Sequence, residues 1–548
     1  MSEPLCLYGI IENIVWDRMH LHLDVSLCSP DGEDPCFFLF DEAGAVTPLP
    51  AERREGGLYH LHTNITSARG DRPLSGGVYR LGLAHVLPGK VSQKGDGFTC
   101  GYATLRDVLA GRLAELCRIF PFGQEGQALT FYFSLDERDA FPALTLTAGV
   151  MGPLDLETLR PKKSGLKKRI KKAVRALEAA AVRGAYGFFR FFAGKNGKTI
   201  LFASDSRPVL LGNMAAIHAR LKERGLDKDF RILYSLRSSA KGQSVGSWLS
   251  LMRRLARADY VFIDDNLPVL AYIHPDPKTV IVQTWHAGLG FKAAGYSRYG
   301  CHGAPQPLAC GHRRYTYALC GSAQVAPWFA EVFGIPAERI LPTGLPRLDG
   351  YLKPQKAAAA KAAFAKAYPK AAGKRVILFA PTFRGSGEST AYYDFDKLDM
   401  AALYEFCGQE SVVLFKMHPY IHGRLPIPAE YADRLLVADP YEEINDLFFS
   451  TDILITDYSS AIYEFALHHK PMLFFAYDKA YYSVIRGFHL DYDKAAPGKV
   501  CQTFGELLLA LKTGDFEQEK AEAFAKHHFG QLDDGACDRV IDTILLKK

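Results

Sequence analysis

Apolar and polar positions follow two different patterns along this chain, and the pattern changes near residue 198. From Leu5 to about Val150 the apolar runs are short and are separated by Gly, Pro and Asp clusters, as in CFFLFDE, LYHLHTNIT, GVYRLGLAH, LTFYFSLD and ALTLTAG. Short runs bounded by turn residues are typical of β-strands. We therefore predict a β-sandwich-like accessory domain over residues 1–155, in which no catalytic constellation is visible.

Beyond residue 198, apolar strands alternate with amphipathic helices in two series. The first contains TILFAS, FRILYSL, ADYVFID and KTVIVQTW, and the second contains RVILFAP, SVVLFKMHP, DILITDYSS and PMLFFAYD. A break at LPTGLPRLDGYLKP and an Ala/Lys-rich helix from about Gln355 to Ala367 separate them. Repeated βαβ units form parallel sheets. We predict an α/β fold with two Rossmann-type lobes, 198–350 and 351–548, which resembles the GT-B plan of nucleotide-sugar transferases.

A basic segment joins the two regions. Between Arg160 and Lys198, Lys and Arg crowd a helical pattern with Glu178 as its single acid, and Tyr and Phe residues follow. Cations beside an aromatic group are typical of a helix at an anionic membrane surface. We predict such a contact for the linker helix 156–197. The alternatives are a solvated linker whose aromatic residues pack on the next domain and, more weakly, a nucleic-acid contact.

Composition and charge limit the remaining classes. The 548 residues exceed what a single hydrophobic core organises, so several domains are expected. No stretch of about 18 apolar residues and no secretory signal pattern occurs, which predicts a cytoplasmic protein. The 11 cysteines include no CxxC pair, which argues against a zinc site or a disulfide framework. A net charge of +6 only hints at anionic partners.

Candidate chemistry begins at the end of one strand in the first series. In VQTWHAGLGFK, an apolar strand leads into Trp285, His286 and a loop of small residues. Gly288 and Gly290 would let backbone amides approach a phosphate, and His286 could take a proton from an attacking hydroxyl. A purely structural histidine is the alternative.

A second histidine follows a strand of the other series. In FKMHPYI the strand ends in Lys416, Met417 and His418, and Pro419 favours an extended conformation at the residue before it. As a cation or hydrogen-bond donor, His418 could stabilise charge on a transferring phosphoryl group. A surface turn is the alternative.

A third segment, LITDYSSAIYEFA, runs from a strand through a turn at Asp457 into a helix. Ser459 and Ser460 at the helix N-terminus suit a diphosphate, and Glu464 could accept hydrogen bonds from ribose hydroxyls. Helix capping alone is the alternative for the serines.

Weaker candidates lie beside other tight turns and would suit phosphate or base contacts: Arg347, Thr382, Phe383, Arg384 and Arg486. No Gly-rich dinucleotide fingerprint or Walker loop follows the first strand of either lobe, so NAD or ATP chemistry has little support.

Together, QTWHAG, TGLPRLD, LFAPTFR, KMHP, ITDYSSAIYEFA and RGFHLDYDKAAPG resemble the CDP-glycerol glycerophosphotransferase family of teichoic acid primases and polymerases. The resemblance implies that His286 and His418 are the two histidines required for transfer. It also implies ligand contacts at Trp285, Ala287, Gly288, Leu289, Arg347, Thr382, Phe383, Lys416, Met417, Ser459, Ser460 and Glu464.

The resemblance further implies transfer of glycerol phosphate from CDP-glycerol to a lipid-linked or polymer hydroxyl, with release of CMP, at the cytoplasmic face of the membrane. The loop WHAGLGFK differs from the WHGTPLK-like string of polyglycerol-phosphate polymerases, so CDP-ribitol remains open as donor. A nucleotide-sugar glycosyltransferase and a non-enzymatic scaffold are the rival classes. No acidic magnesium cluster stands out, so we expect no cofactor and no strict metal requirement.

Overall fold

A computed structural model describes the chain in two compact units. The first unit comprises Met1–Ala179, Ala294–Arg313 and Glu331–Ile335, and the second comprises Ala180–Ala293, Arg314–Ala330 and Pro336–Lys548. The described residues are 7–27, 34–70, 72–74, 76–94, 97–98, 100–106, 109, 111–122, 127–136, 143–152, 166–240, 242–299, 310–351, 353–385, 388–422, 425–439, 443–530 and 532–547.

The first unit is built on an eleven-stranded sheet. Its path runs β11-β12-β13-β7-β10-β1-β2-β6-β5, with β3 joining β7 and β4 joining β3. The pairing of β1 with β10 is parallel and the other pairings are antiparallel. The strands are β1 Tyr8–Asp17, β2 His20–Leu27, β3 Cys36–Asp41, β4 Val46–Leu49, β5 Ala51–Arg53, β6 Leu58–Asn64, β7 Gly77–Ala84, a separate hairpin of β8 Gln93–Lys94 and β9 Gly97–Phe98, β10 Gly101–Leu105, β11 Arg118–Phe122, β12 Gln127–Asp136 and β13 Ala143–Met151.

The five apolar runs quoted from this region form β3, β6, β7, β12 and β13, so the strand predictions are confirmed. Their alternating apolar side chains share one core, which also includes Tyr296 and Tyr299 from a later segment of the chain. The strands form one hydrogen-bonded network, because β7 pairs with β3, β10 and β13. Within the described residues, the two separate sheets of a predicted sandwich are therefore not seen.

The basic segment forms a helix, Leu166–Phe191. Its C-terminal end belongs to the second unit, where the Tyr186 hydroxyl oxygen accepts from the Asp276 N–H (3.1 Å) and Arg190 forms an ion pair of 2.9 Å with Asp276. The cations from Lys162 to Lys172, on which the membrane prediction depends, lie outside the described residues or side chains. No helix within the described ranges is both long and apolar enough to cross a bilayer.

The second unit contains two six-stranded parallel sheets, as predicted. The first has the order β15-β14-β16-β17-β18-β19 and the second β22-β21-β20-β23-β24-β25. The strands are β14 Thr199–Ser204, β15 Arg231–Leu236, β16 Tyr260–Ile263, β17 Val280–Gln283, β18 Tyr317–Leu319, β19 Ile340–Leu341, β20 Arg375–Phe379, β21 Ser411–Phe415, β22 Leu435–Val437, β23 Ile453–Thr456, β24 Met472–Phe475 and β25 Lys499–Cys501. All eight predicted apolar runs are strands.

Strand order reverses between β14 and β16 in the first sheet and between β20 and β23 in the second. Open α/β sheets bind ligands at such switch points, outside the carboxyl ends of the strands. We therefore expect residues that follow these four strands to lie near a bound ligand.

Helices cover the two sheets. They are Gly212–Glu223, Val245–Arg257, Ala326–Phe333, Pro354–Ala367, Met400–Cys407, Ile444–Leu447, Ile462–Ala466, Lys479–Ile485, Tyr492–Ala495, Phe504–Thr513, Glu519–Phe529 and Ala536–Val540, which continues as a π-helix, Ile541–Leu546. Val540, Ile541 and Ile544 are buried with Ile200 and Phe202 of β14. The predicted second lobe, 351–548, thus ends in a segment whose apolar side chains complete the core of the first.

Candidate functional site

One cavity of about 520 Å³ lies at the carboxyl ends of both parallel sheets. It is lined by Arg207, Leu211, Gly212, Asn213, Asp264, Trp285, His286, Ala287 and Arg347 from the first lobe, and by Ala380, Pro381, Lys416, Met417, His418, Pro419, Glu443, Ile444, Asn445, Ser459, Ser460, Ala461 and Glu464 from the second. Ten of these are residues predicted from the sequence. The structure therefore brings the two histidine motifs and the serine motif to a common space.

Trp285 holds a strained backbone conformation directly before His286. Its φ is +52°, in the left-handed region that non-glycine residues rarely adopt. Side chains hold the turn: Gln283 Oε1 accepts from the Trp285 N–H (2.9 Å), and Asn213 Nδ2 donates to the carbonyls of Thr284 (2.8 Å) and Trp285 (3.0 Å). Strain that neighbouring groups maintain is typical of functional sites. Asn213, which the sequence analysis did not single out, fixes this loop.

His286 is oriented by one backbone acceptor. Its Nδ1 lies 2.9 Å from the carbonyl oxygen of Asp264, which can only accept a hydrogen bond, so Nδ1 carries the proton. In the neutral ring Nε2 is then the unprotonated nitrogen. The imidazole also packs against the Trp285 ring, with 4.5 Å between centroids. His286 thus has the tautomer that a general base requires.

The glycines of this loop serve packing. A Cβ on Gly288 would overlap the ring of Tyr463, and a Cβ on Gly290, whose φ is +108°, would meet the ring of Trp328. Gly288 and the buried Leu289 do not line the cavity. Both glycines were predicted to let backbone amides approach a phosphate, but the structure sets their α-carbons against aromatic rings.

His418 has the opposite hydrogen-bonding pattern. Its Nδ1 accepts from the backbone N–H of Tyr420 at 3.1 Å, so in the neutral ring the proton is on Nε2. Burial, followed by the nearby charges of Lys292 and Lys416, lowers the pKa of His418. Phe383 packs against this imidazole in a tilted arrangement, with 4.7 Å between ring centroids, and does not itself line the cavity. His418 is therefore a neutral Nε2–H donor, the second of the two forms expected from the sequence.

The serine turn follows β23. Ser459 Oγ accepts from the Ala461 N–H at 3.2 Å, which closes the turn before the helix, but no side chain caps the helix itself. Ser459 and Ser460 both line the cavity. The helix that follows, Ile462–Ala466, has only five residues. Because a macrodipole needs several aligned turns, this helix offers an anion less than the sequence analysis expected.

Glu464 and Arg347 form an ion pair on the cavity wall. Arg347 comes from the first lobe, where its backbone N–H donates to Asn213 Oδ1 at 3.0 Å, and Glu464 comes from the second. The carboxylate predicted to accept from a ribose is therefore already charge-paired through one oxygen. The pair joins the two lobes beside the cavity.

Arg384 is a structural residue and lies away from the cavity lining. Its guanidinium donates to Asp457 (2.8 Å), to both carboxylate oxygens of Asp478 (2.6 and 2.8 Å) and to the Thr382 carbonyl (2.6 Å). Four tyrosine rings surround it, those of Tyr393, Tyr458, Tyr477 and Tyr482. Because its guanidinium bonds to these protein groups, Arg384 has a structural role that the sequence did not indicate, and its ligand contact stays a prediction.

Three further predicted residues also lie outside the lining: Asp457, Thr382 and Arg486. Asp457 is fully buried and accepts from the Thr382 N–H at 2.7 Å and from Arg384, which fixes the two strand-end turns relative to each other. Five of the lining residues that were not predicted from the sequence are polar, namely Arg207, Asn213, Asp264, Glu443 and Asn445. Within the described residues, no three His, Cys, Asp or Glu side chains come close enough to share a metal ion.

Comparison with known proteins shows which family the chain resembles. Residues 186–546 match the model of the CDP-Glycerol:Poly(glycerophosphate) glycerophosphotransferase family. The teichoic acid ribitol-phosphate polymerase TarL of Staphylococcus aureus is 39% identical over 354 residues, which are 64% of this chain and 63% of TarL. The match thus spans less than two thirds of that relative's length.

Two further comparisons agree. The teichoic acid glycerol-phosphate transferase of Staphylococcus aureus is 28% identical over 288 residues, which cover 50% of this chain and 73% of that one. The structure of the wall teichoic acid polymerase TagF superposes with a TM-score of 0.52 at 21% identity and covers 70% of this chain and 98% of TagF, which supports the fold. The resemblance found in the sequence motifs is confirmed: the chain belongs to the CDP-glycerol:poly(glycerophosphate) glycerophosphotransferase family.

Proposed function

We propose that this protein transfers a polyol phosphate from a CDP-polyol to a hydroxyl group of a growing cell-surface polymer and releases CMP. Family membership supports the reaction class. The single observation that carries the proposal is the His286 Nδ1–Asp264 carbonyl bond of 2.9 Å, because it leaves Nε2 unprotonated in a residue that lines the cavity.

The chemistry divides between the two histidines. His286 Nε2 accepts the proton of the acceptor hydroxyl as its oxygen attacks the phosphorus that bears the polyol. The bond from that phosphorus to the bridging oxygen breaks, and CMP leaves with the electron pair. His418 Nε2–H donates to a phosphate oxygen, where charge accumulates during transfer. Lys416 and Ser460, which line the same cavity, add positive charge and a hydroxyl donor.

The identity of the donor, CDP-ribitol or CDP-glycerol, is a separate question. The sequence motifs alone favoured CDP-glycerol and left CDP-ribitol open. TarL, a ribitol-phosphate polymerase, is 39% identical, whereas the glycerol-phosphate transferase is 28% identical. These identities favour CDP-ribitol, and we propose it as the first donor to assay.

The assay is release of CMP from CDP-ribitol and CDP-glycerol in the presence of a polyol-phosphate acceptor. UDP-sugars test the glycosyltransferase alternative. We expect CMP from a CDP-polyol only, and a loss of roughly a hundredfold or more in His286→Ala and His418→Ala. The exposed His274→Ala is the matched control and should retain full activity. Turnover of a UDP-sugar with no CMP from either CDP-polyol would contradict the proposal.

Membrane contact is a separate proposal, and it places the protein at the cytoplasmic face as a peripheral protein. Phe188, Phe191 and Phe192 remain exposed, with 84% of Phe191 accessible, although Tyr186 on the same helix is buried. Exposed aromatic residues beside cations suit an anionic leaflet. Replacing Lys162, Lys163, Lys167, Lys168, Lys171 and Lys172 by Gln should abolish co-sedimentation with phosphatidylglycerol liposomes. Unchanged sedimentation would contradict it.

We also propose that the N-terminal sheet is an accessory module, since the family match begins only at residue 186.

For the metal requirement, we expect CMP release to persist in EDTA. Complete loss in the chelator, with recovery on added Mg²⁺, would contradict that expectation.

A further inference from the structure

Three polar side chains follow three neighbouring strands at one edge of the first parallel sheet. Arg207 follows β14, Asp264 follows β16 and His286 follows β17, and all three line the cavity. Ala203 of β14 pairs with Ile263 of β16, which pairs with Gln283 of β17. A cation, a carboxylate and a base therefore follow one another across the switch point of this sheet.

Asp264 has a buried carboxylate oxygen, Oδ1, that no group within the described residues bonds. The residue is 3% exposed. A buried carboxylate without a partner destabilises the folded state, and such groups in native proteins are commonly retained for a ligand. Asp205, at the end of β14, differs, because Arg237 neutralises it at 2.6 Å. The fold itself does not explain the Asp264 carboxylate.

Arg207 is the matching cation. The Ser204 hydroxyl oxygen accepts from the backbone N–H groups of Ser206 and Arg207, both at 3.2 Å, which fixes the turn that carries this side chain. Across the described residues, no carboxylate lies within ion-pair distance of the Arg207 guanidinium. Its charge is therefore available to an anion in the cavity.

We infer that this edge binds the terminal polyol-phosphate unit of the acceptor, with Asp264 accepting hydrogen bonds from its hydroxyls and Arg207 binding its phosphate. The inference rests on the proposed function and assigns the acceptor to the first lobe. Adjacent hydroxyls suit the two oxygens of a carboxylate, and a guanidinium binds phosphate oxygens in pairs. The reacting hydroxyl then lies at His286 Nε2, which takes its proton as the new O–P bond forms and the P–O bond to CMP breaks.

Binding of acceptor fragments tests this subsite without turnover. The probes are glycerophosphoglycerol and ribitol 5-phosphate, titrated into the full chain by NMR saturation transfer. Asp264→Asn is nearly isosteric and leaves the carbonyl that orients His286, and Arg207→Gln removes the cation. We expect each variant to weaken binding of the probes roughly tenfold or more, since a hydrogen bond to a charged group is lost. The neighbouring Asp265→Asn, outside the cavity lining, is the matched control and should bind as wild type.

Donor binding and kinetics separate the possible failures. CDP should bind all four proteins within about twofold, and the acceptor KM of the two variants should rise while the KM for the CDP-polyol does not. Unchanged probe binding, or a selective loss of CDP binding, would overturn the acceptor subsite. Absence of CMP release by the wild-type protein would instead refute the proposed function, and the probe titrations would still decide the subsite.

Discussion

His286 and His418 line one cavity, but their Nδ1 atoms take opposite roles. His286 Nδ1 donates to the Asp264 carbonyl at 2.9 Å, whereas His418 Nδ1 accepts from the Tyr420 N–H at 3.1 Å. Neither partner can reverse its role, because a carbonyl only accepts and an amide N–H only donates. In the neutral rings, Nε2 of His286 is therefore unprotonated and can accept a proton, whereas Nε2 of His418 carries a proton and can donate a hydrogen bond. Transfer of a phosphoryl group from one oxygen to another uses both a base and a donor.

The first prediction concerns Arg384. Replacing it with Ala should lower the free energy of unfolding by about 3–5 kcal/mol, because the buried Asp457 and the partly buried Asp478 would lose their cation. Urea denaturation of the full chain measures this loss. Arg486→Ala is the control, since no ion pair holds Arg486 among the described residues. If Arg384→Ala kept wild-type stability and lost only CDP binding, Arg384 would be a ligand residue after all.

The second prediction concerns Gly288. Replacing it with Ala should destabilise the protein by about 1–3 kcal/mol and reduce CMP release, because the added methyl overlaps the Tyr463 ring and displaces the loop that carries His286. Thermal unfolding and the CMP assay measure the two effects. Gly184→Ala, which meets no atom within 4 Å in the helix Leu166–Phe191, should change neither for the worse. A silent Gly288→Ala would show that the loop is not packed as described.

Asn213 gives a third prediction. Asn213→Ala should lower kcat roughly ten- to a hundredfold with little change in donor KM, because the turn at Trp285 loses two hydrogen bonds and His286 loses its orientation. Steady-state CMP release separates the two constants. Asn213→Asp keeps the oxygen that accepts from the Arg347 N–H but not the amide donor, so it should resemble Asn213→Ala. If Asn213→Asp kept the wild-type kcat, the important contact of Asn213 would be the hydrogen bond from the Arg347 N–H, and not the bonds that hold the turn at Trp285.

A fourth prediction concerns pH and the N-terminal sheet. His20 Nδ1 bonds His62 Nε2 at 2.7 Å, and His20 Nε2 bonds Glu331 at 2.9 Å. Burial, and then the neighbouring His20, His22 and His60, lower the pKa of His62 to about 4. Between pH 6.5 and about 4 the unfolded chain therefore binds a proton that the folded chain does not. The stabilisation is complete above about pH 6.5 and is lost as pH falls towards 4.

Hydrogen exchange of β2 and β6 at pH 7.5 and 5, corrected for intrinsic exchange rates, measures this loss. Partial solvent access limits the effect to about 1 kcal/mol. His62→Gln should flatten the pH dependence, whereas the exposed His85→Gln should keep it. Protection that rises as pH falls would contradict the prediction.

The positions of the strands were predictable from the sequence. The runs TILFAS and RVILFAP are buried strands with helices between them, and parallel sheets bury both faces, so apolar runs alone reveal them. The histidine and serine motifs were found because each directly follows such a run. This local rule placed His286, His418 and Ser460 at one cavity, although they are far apart in sequence.

Pairings across the fold could not be predicted in this way. Nothing near Arg384 indicates that Asp478, 94 residues later, binds its guanidinium. Similarly, Asp264 and Asn213 belong to no motif, and only the strand order reveals that one orients His286 and the other holds Trp285. A helix after the serine turn was predicted, but the sequence pattern did not show that this helix, Ile462–Ala466, has only five residues.

The most direct test compares glutamine variants of the two histidines in the CMP-release assay, because the Gln side-chain amide can mimic an Nε2–H donor but cannot act as a base. We expect His418→Gln to be at least about tenfold more active than His418→Ala, and His286→Gln to be as inactive as His286→Ala. Recovery by Gln at position 286 but not at position 418 would contradict the assignment of base and donor.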